Sequence, residues 1–168
     1  MSVRKIRLVP DPVLRKKSKR VTTIDKSVKK LVADLLETLH AAPGRAGLAA
    51  PQVGVSLRVA VIGIPDEEDI VLINPEVVKR QGERILEEGC LSIPGYIGEI
   101  KRSEKVTVKC KDINGKEIRI KGQELLAEAL EHEIDHLNGV LYIDLLESPD
   151  KLRKLTPEDM LPDEEEDS

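Results

Sequence analysis

From Gln123 to Gly139 the chain reads QELLAEALEHEIDHLNG, and this stretch constrains the fold more than any other. Leu126, Leu130, Ile134 and Leu137 recur at helical spacing and border a strip formed by Leu125, Ala129, His132 and His136. Gly122 precedes the helix, and Gly139 suits the C′ position that ends it. Two histidines therefore lie on or near the buried face, where an imidazole without a partner costs free energy.

The elements before this helix are mostly strands. Residues 25–40 (DKSVKKLVADLLETLH) place Val28, Leu31, Val32, Leu35, Leu36 and Leu39 on one stripe, which predicts an amphipathic helix closed by Pro43 and Gly44. LRVAVIGI and DIVLINP read as strands joined by PDEE, and another extended segment is expected near 77–87. EEGCLSIPGYIGEI reads as a loop. In EKVTVKCKDINGKEIRIK, Val106, Val108 and Cys110 alternate with polar residues, NG supplies a turn, and Ile118 and Ile120 resume the alternation, so a hairpin is expected. Helix, strands, helix, with no βαβ alternation and no internal repeat, gives an α+β fold. Residues 1–147 read as one catalytic domain. Residues 148–168 read as a short helical segment and an acidic tail, which is expected to be disordered.

The 168 residues suffice for one core, no apolar run is long enough to span a bilayer, and the N-terminus has no signal-peptide apolar stretch. A cytoplasmic protein, monomeric or weakly oligomeric, is expected. The net charge of −4 argues against nucleic-acid binding driven by bulk charge. With two Tyr and no Phe or Trp, base-stacking platforms are not expected either. Cys90 and Cys110 are too few for a disulfide framework.

Residues at i and i+4 of a helix point the same way, so His132 and His136 can share one metal ion. Glu133 lies about 100° round the helix from His132, beside such a metal, where it can hold a proton for a water molecule. A solvated helix rich in Glu and His would also spell this pattern. The buried strip and the distance in sequence of the third histidine, His40, favour the metal. Cys110 sits in an alternating strand and reads as a small core residue. Cys90 lies next to Gly89, and its soft thiolate would suit zinc or iron. Cys90, His132 and His136 then leave a fourth position open to water, as catalytic sites do, which points to hydrolysis.

Three segments, GLAAPQVG, EEGCLS and HEIDHLNG, occur in the order and spacing of the peptide deformylases, and the chain resembles that family from about Ile6 to about Leu146. The resemblance implies antiparallel or mixed sheets around the central helix and hydrolysis of the formyl group from the N-terminal formylmethionine of nascent polypeptides. It implies Fe²⁺ as the physiological metal, with Ni²⁺ or Co²⁺ as active substitutes and Zn²⁺ less active. It assigns Cys90, His132 and His136 as ligands and Glu133 as general acid/base. Gln52 and the Leu91 N–H would stabilise the oxyanion, and Gly47 would bind the peptide as an added strand. Without the resemblance, Gln52 would read as a surface glutamine. Asp135 is expected to pair with Arg102.

The chain departs from the family pattern at three places. The usual GxGLAAPQ reads GRAGLAAPQ, with Arg45 in the loop. Glu128 and Glu131 stand where Arg and Gln are frequent, and both are expected to face solvent. The C-terminal end is acidic, so the ribosome docking of members with a basic C-terminal helix is not carried over. The competing readings are a different HExxH hydrolase and a non-enzymatic, metal-stabilised relative.

Overall fold

The computed structural model describes residues 2–159. Helix α1 (Lys26–His40) is capped by Asp25, whose carboxylate accepts from the Val28 N–H. Its buried stripe is the one the sequence predicts, with the exception of the half-buried Leu36. It also includes Asp34 and Thr38. These two polar groups are satisfied by the N-terminal segment: Arg4 donates to the Asp34 carboxylate at 2.8 Å, and the Arg4 N–H donates to Thr38 Oγ1 at 2.8 Å.

Strands β1 (Gly47–Ala49), β2 (Val59–Ile62), β3 (Ile70–Gln81), β6 (Lys105–Lys111) and β7 (Glu117–Gln123) form a five-stranded sheet in the order β1-β2-β3-β6-β7. Every pairing between named strands is antiparallel, and an isolated parallel bridge joins Lys19 to Leu57. Alternation divides the sheet's side chains between two cores. Val59, Val61 and Ile73 pack with α1, whereas Ala60, Ile62, Leu72, Val106, Val108 and Cys110 pack with α2 (Glu124–Leu137). The expected hairpin is β6–β7, with Val108 opposite Ile120 and Cys110 opposite Ile118. Its loop is closed by Asp112, whose carboxylate accepts from the Asn114 and Lys116 N–H groups.

Strands β4 (Arg84–Cys90), β5 (Ile93–Arg102) and β8 (Leu152–Lys154) make a second sheet in the order β4-β5-β8. Two expectations are corrected here. The extended segment expected near 77–87 is two strands, β3 and β4, separated by a turn at Gly82, and they belong to different sheets. EEGCLSIPGYIGEI is not a loop but the end of β4, a tight turn at Leu91 and Ser92, and most of β5. Its alternation is hidden because the inward position of β4 is Glu88, a charge buried against Arg102, instead of an apolar residue.

After residue 147 the expected helical segment is a single 3-10 turn at Pro149–Lys151, followed by strand β8. Leu152 packs with Ile93, Ile100, Leu141 and Tyr142, and Arg153 pairs with Glu87. The expected acidic tail lies largely outside the described residues.

Helix α2 is central, touching β1, β2, β3, β6 and β7 of the first sheet and β5 of the second, in accord with the expected α+β arrangement. It ends where the sequence places its stop. Gly139 has φ +73°, and a Cβ there would lie 2.5 Å from the Arg15 carbonyl oxygen, so only glycine fits. The Val140 N–H closes the motif on the Asp135 carbonyl at 2.9 Å. No helix among the described residues is long and apolar enough to cross a membrane.

Candidate active site

His132 and His136 stand one turn apart on α2, and the end of β4 brings Cys90 over them. The two Nε2 atoms are 3.1 Å apart, and Cys90 Sγ is 3.3 Å from His136 Nε2. One ligand atom from each of the three residues lies within 4.8 Å of the others. Cys110, by contrast, is in the core between β6 and α2, where burial pushes its thiol up to about 11. His40 pairs with Asp69 on the surface.

A chain of ion pairs fixes the histidine orientation. His132 Nδ1 meets the Glu88 carboxylate. Arg102 grips that carboxylate with two bonds of 2.8 and 2.9 Å and reaches Asp135 at 2.6 Å. The sequence reading anticipated the Arg102–Asp135 pair but missed Glu88, the larger part of the network. Its one signal was position: Glu88 precedes Cys90 by two residues and so shares its side of a strand. Burial raises the Glu88 pKa, but His132 and Arg102 outweigh it and hold the carboxyl below its usual range. Burial also favours neutral His132, yet the charges of Glu133 and Glu88 and the Cys90 contact leave it well above the ordinary imidazole value. His136 is driven well below that value by burial and by His132.

This arrangement suits a cation. With Glu88 accepting from His132 Nδ1–H, the Nε2 of His132 is the atom that faces the other imidazole nitrogen and the sulfur, and a bound cation would take the place of its proton. Two imidazole nitrogens and a sulfur converging at hydrogen-bond distance, deep in the protein, form a donor set that a divalent metal satisfies.

Gln52 is 1% exposed, so it is not a surface residue. Its Oε1 accepts from the Ala49 N–H at 3.0 Å, which aims Nε2 at Ser92 Oγ (3.2 Å) and Cys90 Sγ (3.7 Å). Leu91 follows Cys90 on the turn and lines the same cleft. Glu133 is 3% exposed, its Oε1 has no partner, and burial pushes its carboxyl up to about 7. Gly47 on the edge strand β1 makes room for it, since a Cβ there would lie 2.5 Å from Glu133 Oε2. These residues line a cleft of about 290 Å³, with Arg45 and Glu128 on its walls. Arg45 turns back to donate to the Thr38 carbonyl at the end of α1.

The solvent-facing expectation fails for Glu131 and holds only in part for Glu128, which is half-buried in the cleft wall. Glu131 is buried because the β5–β6 turn supplies the Ser103 N–H at 2.7 Å and Ser103 Oγ at 3.1 Å, and strand β3 supplies Arg80 at 3.1 Å.

Comparison with known proteins agrees with this geometry. The polypeptide deformylase family profile matches residues 3–152. A peptide deformylase of Dehalococcoides mccartyi (strain CBDB1) is 56% identical over 165 residues, 98% of each chain. That of Thermomicrobium roseum is 46% identical over 176 residues, covering 100% of this chain and 96% of its own. The crystal structure of a Legionella pneumophila peptide deformylase superposes with a TM-score of 0.85 at 52% identity, over 89% of each chain. That of the Ehrlichia chaffeensis enzyme in complex with actinonin gives 0.85 at 42%, over 90% of this chain and 92% of the other. The chain thus belongs to the peptide deformylase family, metal-dependent enzymes that remove the formyl group from the N-terminal formylmethionine of nascent polypeptides.

Proposed function

We propose that Cys90, His132 and His136 hold Fe²⁺, with Ni²⁺, Co²⁺ or Zn²⁺ able to replace it, and that the cleft beside them is the deformylation site. The observation that carries this reading is the convergence of the three donor atoms within 4.8 Å, beside a buried, partnerless Glu133. A divalent ion there would supply Lewis-acid activation of water and of the formyl oxygen.

The chain's own groups account for the rest of the chemistry. Glu133 takes a proton from the attacking water and later gives it to the leaving amine, a task for which a carboxyl raised to about 7 is well matched. The water oxygen bonds to the formyl carbon, the C–N bond breaks, and formate and a free α-amine leave. Gln52 Nε2 and the Leu91 N–H donate to the formyl oxygen as it gains charge. Gly47, on an edge strand, offers backbone groups to the peptide as an added strand. Glu88, held by Arg102, keeps His132 in the orientation that binds metal. The enzyme acts in the cytoplasm as a monomer or weak oligomer, and its acidic C-terminal sequence gives no support for docking on the ribosome.

Anaerobic purification with metal analysis and a formyl-Met-peptide assay tests the reading. Iron-loaded protein should outpace zinc-loaded protein, and Glu133→Ala should keep stoichiometric metal while losing nearly all turnover. Loss of metal in Glu133→Ala would make Glu133 a ligand. Failure of all metal forms to deformylate would defeat the proposal.

A further inference from the structure

A second pocket, of about 560 Å³, opens at the far end of α2 and shares no lining residue with the cleft. Lys17, Arg20, Arg58 and Arg80 line it, with Ser18 between the first two. Arg80 is engaged by Glu131. Among the described residues, no carboxylate comes within salt-bridge distance of Lys17, Arg20 or Arg58. Glu76 lies on the lining but pairs with none of them. Long cations that converge without a counter-ion repel one another. Burial, and then the like charge of Arg20, hold the Arg58 guanidinium below its usual range.

Ser18 is 5% exposed, and its hydroxyl has no hydrogen-bond partner. Its backbone is fully occupied, since the N–H donates to the Leu137 carbonyl at 2.8 Å and the carbonyl accepts from Arg58. That hydroxyl is sealed from solvent, so the groups the pocket presents to a ligand are its cations, and the Ser18 backbone helps to hold Arg58 at the end of α2.

Arg58 also donates to the Leu137 carbonyl at 3.0 Å and to Asn138 Oδ1 at 2.9 Å, which gives it a structural role at the end of α2. That role leaves its charge uncancelled and screens the negative end of the helix from the pocket. The lining is rich in donors. A tetrahedral anion with two charges and several acceptor oxygens matches it better than a single carboxylate does. The volume lies within the range of small-molecule sites, roughly 300–1,000 Å³.

We propose that this pocket, formed by Lys17, Arg20 and Arg58 against the last turn of α2, binds a phosphoryl-bearing small anion. Such a ligand contacts the end of the helix that carries His132 and His136, and it stabilises the folded enzyme.

The test is calorimetric titration of the metal-loaded enzyme at about 0.15 M salt. Inorganic pyrophosphate is one titrant and adenosine triphosphate another, to tell an inorganic anion from a phosphate ester. Saturable one-to-one binding of at least one is expected, with a rise in Tm that saturates alongside it. Lys17→Ala/Arg20→Ala should weaken binding tenfold or more and abolish the Tm rise, while deformylation of a formyl-Met peptide without added anion is unchanged. Lys29→Ala/Lys30→Ala on α1 should leave binding intact. Both titrants can also chelate the catalytic metal, but that effect does not depend on Lys17 or Arg20. Binding that survives Lys17→Ala/Arg20→Ala, or no saturable binding of either titrant, would overturn the proposal.

Discussion

Replacing Gly47 by alanine isolates the placement of Glu133 from every other part of the site. The backbone of Gly47 is not in a left-handed conformation, so alanine brings no φ strain. Its Cβ would lie 2.5 Å from Glu133 Oε2, 2.9 Å from Cδ and 3.0 Å from Cγ, whereas ordinary contact begins near 3.4 Å. The carboxylate must therefore retreat by about 1 Å. It is the free end of a side chain and can yield without unfolding α2. A misplacement of about 1 Å in catalytic geometry can cost on the order of 10²-fold in rate. Gly47→Ala should thus lose about 10²-fold in kcat while metal content stays stoichiometric, and KM should change much less. Steady-state kinetics on a formyl-Met peptide, with metal analysis of the same sample, measure both. A kcat within threefold of the parent would show that Glu133 does not need the space Gly47 provides, and the general acid/base assignment would lose its geometric basis. Loss of metal would mean that the perturbation reached the ligands instead.

Three further outcomes follow from the same contacts. Glu88→Gln removes the charge that orients His132 and should weaken metal binding by about 10–100-fold in a chelator competition; an unchanged affinity would reduce Glu88 to a packing residue. Cys90→Ser should impair metal binding, whereas Cys110→Ser should keep metal and activity and cost roughly 1–3 kcal/mol in denaturant titration for burying a hydroxyl in an apolar cluster. If Cys110 proved necessary for metal, the ligand set would be wrong. Burial raises the Asp34 pKa, but the bonds from Arg4 and the Ser2 N–H outweigh it and leave the folded value below 3.8. Its contribution to stability is therefore present above about pH 4 and is lost as pH falls through the folded value. The Tm gap between the parent and Asp34→Asn should be full at neutral pH and close under acid; a gap independent of pH would refute the ion pair's role.

Much of this protein is written in local sequence. The stripe of α1, the stop of α2 at Gly139 and the β6–β7 alternation depend on neighbours within a few residues, so periodicity and turn chemistry reveal them. The spacing of His132 and His136 is of the same kind, because one helical turn fixes both side chains. What the sequence did not disclose depends on residues far apart in the chain. The end of β4 and most of β5 read as a loop because Glu88 occupies an inward position, and a buried glutamate makes sense only once Arg102 and His132 are beside it. Glu131 looks solvent-facing until the β5–β6 turn delivers the Ser103 N–H, and Gln52 looks like a surface residue until Ser92 and Cys90 close over it. The three-residue strand β8 carries too little pattern to announce itself, and its place is set by Leu152 packing and by the free edge of β5. The sequence by itself determined the helices, the strand-rich middle and the residue types for metal chemistry. The tertiary structure alone decided which buried charges are compensated, and by which partners, because the desolvation cost of a charge is offset only by groups that folding brings within hydrogen-bond reach.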